Sequence, residues 1–573
     1  MQNQLSITIG QINPTVGDMD GNIAMMLAVA QQAQHASADM VVFPELALTG
    51  YTPGDLLDDP LFERRRAIAQ AQLYETSRQT PEVYWVVGLP LRRETASGKP
   101  FYNGLQVLLN GEVVHTQYKQ LLPTYGVFDE QRHFAPGPDS AKILRLRGAT
   151  IGFLICEDGW NDDGRDYSLN PFQRLADAAP DLVISINASP SSKGKRQLRH
   201  QLFSKACARH RLPVLYVAQV GGQDQLVFDG ASFAVDAAGT VVYEAKRFEV
   251  DAPTLCFDLG RQAFLDVQGQ ALCAVPQDGL SVLEFYREQI VLGLRDYARR
   301  CGFSKVLVGS SGGIDSALTI ALAAEALGAE NVTAITMPSV YSSEGSVSDS
   351  VTLCRNLGVT LHDVPIHEIV TQFSASLLSS TVGEAPRGLA LENLQARIRG
   401  TLLMTYSNQY GSLLLTTGNK SELSVGYCTL YGDTNGGLGL IGDLYKTEVF
   451  ALSRHINQTA GRELIPQCII EKAPSAELAP DQKDTDSLPP YEVLDEILKV
   501  LIEGSLLDAD DLALAQRTVD ALAQTEAGRQ TLDRVQRLIA RSEYKRRQAA
   551  PIIRVRARAF GTGRQVPITA RQY

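Results

Sequence analysis

The sequence predicts an α/β protein of two domains, and three observations carry that expectation. Short apolar runs recur through the first half with polar or helical segments between them. From residue 305 to residue 364, strand-like and helix-like segments alternate. Between these regions, from about Gly260 to Gly279, periodicity gives way to Gly, Gln, Pro and Asp. A chain of 573 residues exceeds what one hydrophobic core serves, so units 1–270 and 271–573 are expected.

In the first unit, Met40 to Phe43, Tyr84 to Val87, Ile151 to Ile155, Leu182 to Ile186 and Val214 to Ala218 read as buried strands. Leu105 to Leu109 and Glu112 to Thr116 flank Asn110-Gly111, a pair suited to a two-residue hairpin turn with positive φ. Mixed sheets with covering helices follow. In the second unit an amphipathic helix begins at Leu283 and runs through Tyr297. Then come strand Lys305 to Val308, helix Ala317 to Leu327, strand Val332 to Met337, helix Glu344 to Leu357 and strand Thr360 to Val364. That order implies a parallel, doubly wound sheet with right-handed crossovers. Pro474 to Pro490, rich in Pro, Asp, Ser and Lys, reads as a mobile loop.

The net charge of −11 and the even spread of charged residues argue against nucleic acid as a partner. The polar start Met1-Gln2-Asn3-Gln4 leads straight into a strand-like run, so no export signal is expected, and no apolar stretch is long enough to cross a bilayer. Eight cysteines lie between Cys156 and Cys468 without Cys-x-x-Cys or His/Cys spacing. A soluble, cytoplasmic protein with reduced thiols is expected, most of them small buried hydrophobes.

Three polar constellations end apolar runs in the first unit: Phe43-Pro44-Glu45, Tyr118-Lys119-Gln120 and Ile155-Cys156-Glu157-Asp158. Singly, Glu45 reads as a surface ion-pair carboxylate, Lys119 as a solvated cation and Cys156 as core. Together they supply a base, an oxyanion-stabilising cation and a nucleophile for attack on an amide carbon. The segments FPELALTGY, YKQLLPTYGVFDE and ICEDGW resemble the nitrilase superfamily with its Glu-Lys-Cys triad. The resemblance implies a four-layer α-β-β-α domain with Cys156 as nucleophile, Glu45 as general base and Lys119 as stabiliser of the tetrahedral intermediate. Its glutamine-hydrolysing branch implies glutamine-binding roles for Tyr125, Glu130, Ser189 and Lys195, with Glu130 the second glutamate beside the triad. A cationic Lys195 suits the substrate's α-carboxylate. Lys193, Lys195 and Arg196 read equally as a solvated basic loop.

In the second unit, strand Lys305 to Val308 runs into Gly309, Ser310, Ser311, Gly312, Gly313, Ile314, Asp315 and Ser316 before the helix at Ala317. Glycines admit backbone N–H groups to phosphate oxygens, the serines add donors, and the helix start adds its dipole. Asp315 would repel a bare phosphate, which points to Mg²⁺ between them. No Gly-Lys-Ser/Thr follows, so this is not a Walker loop. SGGIDS instead resembles the ATP pyrophosphatase family. ENLQARIRG, TTGNKSELSVGYCTLYGD, GDLYKTEV, PSAEL and QKDTDSLPPYE narrow the resemblance to glutamine-dependent NAD synthetases over nearly the full length. In that family Ser310 replaces a frequent apolar residue, and Tyr427 replaces Trp of some members.

The resemblance implies that Gly309 to Ser316, Thr417 and Lys446 bind ATP. It assigns Asn393, Glu422, Tyr427, Cys428, Thr429, Leu430 and Lys545 to deamido-NAD⁺, and Asp315 and Glu422 to Mg²⁺. Thr417 also follows the apolar run Leu413 to Leu415, which places it at the strand end expected for a ligand. Arg397 and Arg399 read as an exposed helix face. The implied reaction hydrolyses glutamine at Cys156, adenylates the nicotinate carboxylate and displaces AMP with ammonia. Delivery of unprotonated ammonia favours an enclosed path, so a tunnel is expected. The family also implies a homodimer, or a larger assembly, built on the synthetase domain, and leaves open a lid over ATP at Pro474 to Pro490.

Overall fold

The computed structural model describes residues 4–94, 97–276 and 279–570. The polar start Met1 to Asn3 and Gln277-Asp278 of the boundary stretch lie outside them. The chain packs as two units, Met1–Gln223 with Val227–Gly279, and Asp224–Leu226 with Leu280–Tyr573.

The first unit holds two large sheets. Seven strands run in the order Ala263–Leu265, Thr254–Asp258, Gln4–Ile9, Met40–Val42, Tyr84–Arg92, Phe101–Leu109, Glu112–Tyr118. Six more run Val241–Glu244, Phe233–Val235, Val214–Ala218, Leu182–Asn187, Ala149–Ile155, Ile143–Leu146. Side chains of a strand alternate between faces, and the sequence uses both. Phe153, Ile155, Ile184 and Leu215 meet Ile7, Val86 and Leu105 in one core between the sheets. Their neighbours Leu154, Val183, Val214 and Tyr216 point the other way, against Phe172 and Leu175 of helix Pro171–Asp177 and Phe203 and Cys207 of helix Lys195–His210. Helices Met19–His35 and Pro60–Ser77 cover the seven-stranded sheet, burying Met26, Phe62 and Leu73. The result is the four-layer α-β-β-α arrangement. The expected hairpin is present in register, with Leu109 opposite Glu112 and φ of +47° at Asn110 and +83° at Gly111.

In the second unit five strands are all parallel, in the order Thr360–Asp363, Val332–Thr336, Val306–Gly309, Leu413–Thr416, Leu438–Gly439. The first strand in sequence is central and the winding reverses beside it. The switch point therefore falls between Val306–Gly309 and Leu413–Thr416, where ligands enter such sheets. Residues 551–553 extend the far edge: Gly439 donates to Pro551 O at 2.8 Å and Ile553 donates to Gly439 O at 3.3 Å.

Four expectations need correction. Helix Ile314–Leu327 begins three residues before Ala317, because Gly313 is extended and serves as N-cap; Asp315 then sits in the first turn, where the helix dipole favours a carboxylate. Arg196 is not part of a solvated loop but is buried, with both Nε and Nη2 on Glu244. Arg399 is largely withdrawn from solvent and donates from Nε to Met337 O at 3.0 Å, and burial holds its pKa down to about 10. Cys156, Cys207 and Cys354 are buried, but Cys273, Cys301 and Cys468 are exposed, since they fall on loops and helix ends away from both cores.

No described helix is long and apolar enough to cross a membrane.

Candidate active site

Glu45 follows strand Met40–Val42, Lys119 follows Glu112–Tyr118, and Cys156 follows Ala149–Ile155. Three strand ends thus deliver three functional groups to one place. Glu45 and Lys119 are both wholly buried, which excludes the surface readings of each taken singly. Lys119 Nζ donates to Glu45 Oε1 at 2.7 Å and to Glu130 Oε1 at 2.7 Å. Burial works against the ammonium, but Glu130 and Glu45 override it and hold Lys119 well above its ordinary range. Lys119 is a fixed cation.

The second oxygen of Glu45 accepts the Ala188 N–H at 3.0 Å, one residue before Ser189 and just beyond strand Leu182–Asn187. Two further donors escaped the sequence reading. Asn103 Nδ2 donates to Glu45 Oε1 at 2.7 Å, and the Tyr51 hydroxyl donates to Glu130 Oε1 at 3.0 Å. Tyr51 closes the segment FPELALTGY, which was the one available signal; Asn103 sits in strand Phe101–Leu109 with none. Burial pushes Glu130 up to about 7, against the pull of Lys119.

Cys156 has a φ of +47°, so the chain turns sharply as it leaves the strand, and the 3₁₀ turn Cys156–Gly159 follows. Burial, and next Glu45, push its thiol well up, while Lys119 opposes them. Cys156 thus rests as a neutral thiol under the influence of the Glu45 carboxylate. Asp158 of the same turn ties it to the lysine segment, accepting Gln120 N–H at 2.9 Å and Leu121 N–H at 2.8 Å.

Glu157, also unassigned from sequence, accepts the Tyr125 hydroxyl at 3.1 Å and the Tyr167 hydroxyl at 3.0 Å. Tyr125 is half exposed. Lys195 opens helix Lys195–His210 with Nζ 3.8 Å above the centre of the Trp160 ring, and its charge bears on Glu157. Tyr125, Glu157 and Lys195 therefore gather at the turn that Cys156 opens.

In the second unit, the turn after Val306–Gly309 folds back on itself. The Ser311 N–H donates to Ser316 Oγ at 3.2 Å, and Ser316 Oγ donates to Gly313 O at 3.0 Å. Gly312 has a φ of +73°, and a Cβ there would lie 2.3 Å from Ser346 O. The Ser310 hydroxyl, buried, donates to Ser350 Oγ at 2.8 Å, which gives this polar residue a partner inside the core. Asp315 Oδ1 accepts Asn419 Nδ2 at 2.9 Å and Oδ2 accepts Lys446 Nζ at 2.5 Å; the same Nζ is 3.2 Å from Glu422 Oε1. Burial pushes Glu422 up to about 8.

Thr417 leaves the adjacent strand Leu413–Thr416. Beyond it a small pocket of about 10 Å³ is lined by Gly418, Glu422, Cys428 and Ala549, among others. The segment Tyr427 to Leu430 is fastened from three sides: Thr429 Oγ1 donates to Asn393 Oδ1 at 2.7 Å, Arg397 Nε donates to Leu430 O at 3.2 Å, and Lys545 Nζ donates to the carbonyls of Gly426 and Cys428 at 2.7 Å each. Asn393, Tyr427 to Leu430 and Lys545 are thus brought together, with Lys545 turned onto backbone.

Comparison with known proteins decides the family. Residues 6–260 match the carbon-nitrogen hydrolase family and residues 286–549 match NAD synthase. The glutamine-dependent NAD(+) synthetase of Synechocystis sp. is 42% identical over 98% of both chains. The chain belongs to the glutamine-dependent NAD(+) synthetases. Within this family, the enzyme of Acinetobacter baylyi is 40% identical over 98% of each chain, and that of Thermotoga maritima 38% identical over 99% of each. The solved structure of the glutamine-dependent NAD(+) synthetase from Acinetobacter baumannii, in complex with adenosine diphosphate, is 38% identical with a TM-score of 0.76, over 99% of this chain and 98% of that one. Another from Cytophaga hutchinsonii, 22% identical with a TM-score of 0.81 over 99% and 98% of the two chains, shares the fold.

Proposed function

We propose that this chain hydrolyses glutamine at Cys156 and uses ATP to amidate deamido-NAD⁺ at the turn Gly309 to Ser316, yielding NAD⁺, AMP, pyrophosphate and glutamate. The observation that carries the reading is the buried Glu45–Lys119–Glu130 cluster beside a strand-end cysteine, in a chain that also places Lys446 on the pyrophosphate turn.

At the first site, Glu45 takes the thiol proton and the Cys156 sulfur attacks the amide carbon. Lys119 holds the oxyanion, being charged and fixed before the reaction begins. Glu45 returns the proton to the leaving nitrogen, ammonia departs and a thioester remains; water, deprotonated by Glu45, releases glutamate. Tyr125, Ser189 and Lys195 hold the substrate, with Lys195 on the α-carboxylate. Glu157, framed by Tyr125 and Tyr167, offers a countercharge to the α-ammonium.

At the second site, a nicotinate oxygen attacks the α-phosphorus of ATP and the bond to pyrophosphate breaks. The leaving pyrophosphate lies on the N–H groups of the turn and on Lys446, and Thr417 lies on ATP. Ammonia then attacks the acyl carbon, the bond to AMP breaks and NAD⁺ forms. Mg²⁺ suits the donor set, because Asp315 and Glu422 offer hard oxygens side by side, both against the Lys446 ammonium, and these two carboxylates would hold the ion. When bound, the ion would neutralise polyphosphate charge. Asn393, Tyr427 to Leu430 and Lys545 form the dinucleotide's place.

The reading extends to a cytoplasmic homodimer. Helix His367–Leu378 has no fully buried residue and exposes Ile369, Phe373 and Leu378, which supports pairing of two copies there.

Purified protein with deamido-NAD⁺, ATP, Mg²⁺ and either glutamine or an ammonium salt tests the assignment through NAD⁺ and AMP. Cys156→Ala is expected to lose glutamine-driven synthesis and keep ammonia-driven synthesis; equal loss of both would sink it. Asp315→Ala is expected to abolish AMP formation from either nitrogen source, and ADP as product would exclude adenylation.

A further inference from the structure

One buried carboxylate joins the starts of two helices that bear on the pyrophosphate turn, and no step above uses it. Asp495 lies in helix Tyr491–Leu498 and is wholly buried. Its Oδ1 accepts the Ser421 hydroxyl at 2.5 Å, and its Oδ2 accepts the Thr447 N–H at 2.9 Å and the Thr447 hydroxyl at 2.8 Å. Ser421 Oγ in turn accepts the Lys446 N–H at 2.9 Å. Ser421 directly precedes Glu422 in helix Lys420–Val425, and Lys446 directly precedes Thr447 at the start of helix Lys446–Ala460. Glu422 and Lys446, whose side chains meet each other beside Asp315, are therefore each one residue from a hydrogen bond to the same carboxylate.

The N–H groups of Lys446 and Thr447 are among the first of their helix, which have no acceptor within it. Here they are satisfied from outside, one by Ser421 Oγ and one by Asp495. A buried carboxylate with three donors holds their relative positions firmly, since any displacement leaves a charged or polar group unpaired. Lysine has a long, rotamer-rich side chain, so where its ammonium can reach depends on where the helix start is held.

We propose that Asp495 is a positioning residue of the adenylating site, locking the starts of helices Lys420–Val425 and Lys446–Ala460 so that the Lys446 ammonium meets both Asp315 and Glu422. This rests on the reading of Asp315, Glu422 and Lys446 as the polyphosphate and metal cluster.

The test is ammonia-driven NAD⁺ formation by the full chain with ATP and Mg²⁺ varied, alongside thermal melting. Thr447→Val removes one bond to Asp495 at nearly constant volume; Asp495→Ala removes all three. Both are expected to raise the KM for ATP and the half-saturating Mg²⁺ by about tenfold or more in the folded fraction. Thr447→Ser, which keeps the hydroxyl, is expected to match the parent. Unchanged KM and Mg²⁺ dependence in Thr447→Val, whatever its melting temperature, would overturn the inference by reducing Asp495 to a structural anchor; if Asp495→Ala does not fold, this variant still decides. Lys446→Met separates the two claims. Full ammonia-driven activity in that variant would remove the cluster reading and the inference with it. Loss there, with parental kinetics in the Asp495 and Thr447 variants, would remove the inference alone.

Discussion

The ammonium of Lys119 stands 2.7 Å from Glu45 Oε1, and neither side chain has any exposure to solvent. A second carboxylate, Glu130, lies equally close on the other side. Breaking such a buried arrangement strands charge in the interior. Lys119→Met is expected to lower unfolding free energy by about 3 kcal/mol or more. It should also abolish glutamine-driven synthesis while ammonia-driven synthesis survives below the lowered melting temperature. Denaturant unfolding and the two-donor assay check it; a variant as stable as the parent would contradict the buried triad.

Glu130 ties stability to pH. Its ordinary value is 4.5 and burial raises it to about 7, so its stabilising contribution is full below 4.5 and is lost as pH rises through about 7. The apo protein is expected to lose more melting temperature than Glu130→Gln does between about pH 5 and pH 8. Parallel slopes in a pH series of thermal melts would assign the effect to other groups.

Gly312 and Gly313 are expected to behave differently. A Cβ at Gly312 meets the Ser346 backbone at 2.3 Å and a positive φ, whereas at Gly313 its nearest neighbour is Ser311 Oγ at 3.4 Å. Gly312→Ala is expected to cost about 2 kcal/mol or more and to abolish AMP formation. Gly313→Ala should leave stability within about 0.5 kcal/mol and instead raise the KM for ATP, because only the approach of phosphate is obstructed. Melting curves and ATP kinetics distinguish them.

Assembly is open to a charge substitution. Phe373→Glu on helix His367–Leu378 is expected to shift sedimentation from dimer to monomer without altering the melting temperature of the glutaminase unit. An unchanged sedimentation coefficient would count against pairing of two copies through this helix.

Much of this was legible in the sequence where the signal is local. Strand runs, the Asn110-Gly111 turn and the Gly309 to Ser316 turn each follow from residues within one short segment. That Glu45, Lys119 and Cys156 belong together was legible from the resemblance of their three segments to the nitrilase superfamily, since singly each read as core or surface. What escaped depends on distance along the chain. Asn103 meets Glu45 from 58 residues away, and Asp495 meets Ser421 from 74; neither carries a mark of its own in the sequence. Arg399 shows the opposite error, since a cation at helical spacing among polar neighbours looks solvated until a strand end is seen above it. Sheet order likewise needed the fold, because which parallel strands become neighbours is decided by packing rather than by any one run.

The last stretch of described chain bears on the interior of the synthetase unit. Arg556 is buried with Nε on Glu503 at 2.7 Å, its N–H and that of Val555 both donate to Asp443 at 2.8 Å, and Lys420 Nζ reaches Arg558 O at 2.6 Å. These partners span the synthetase unit from residue 420 onward, so residues 555–558 complete a buried polar cluster built by segments far apart in the chain. Without residues 555–558, Asp443 would lose two backbone donors and Glu503 its Arg556, while Lys420 would still bridge both carboxylates.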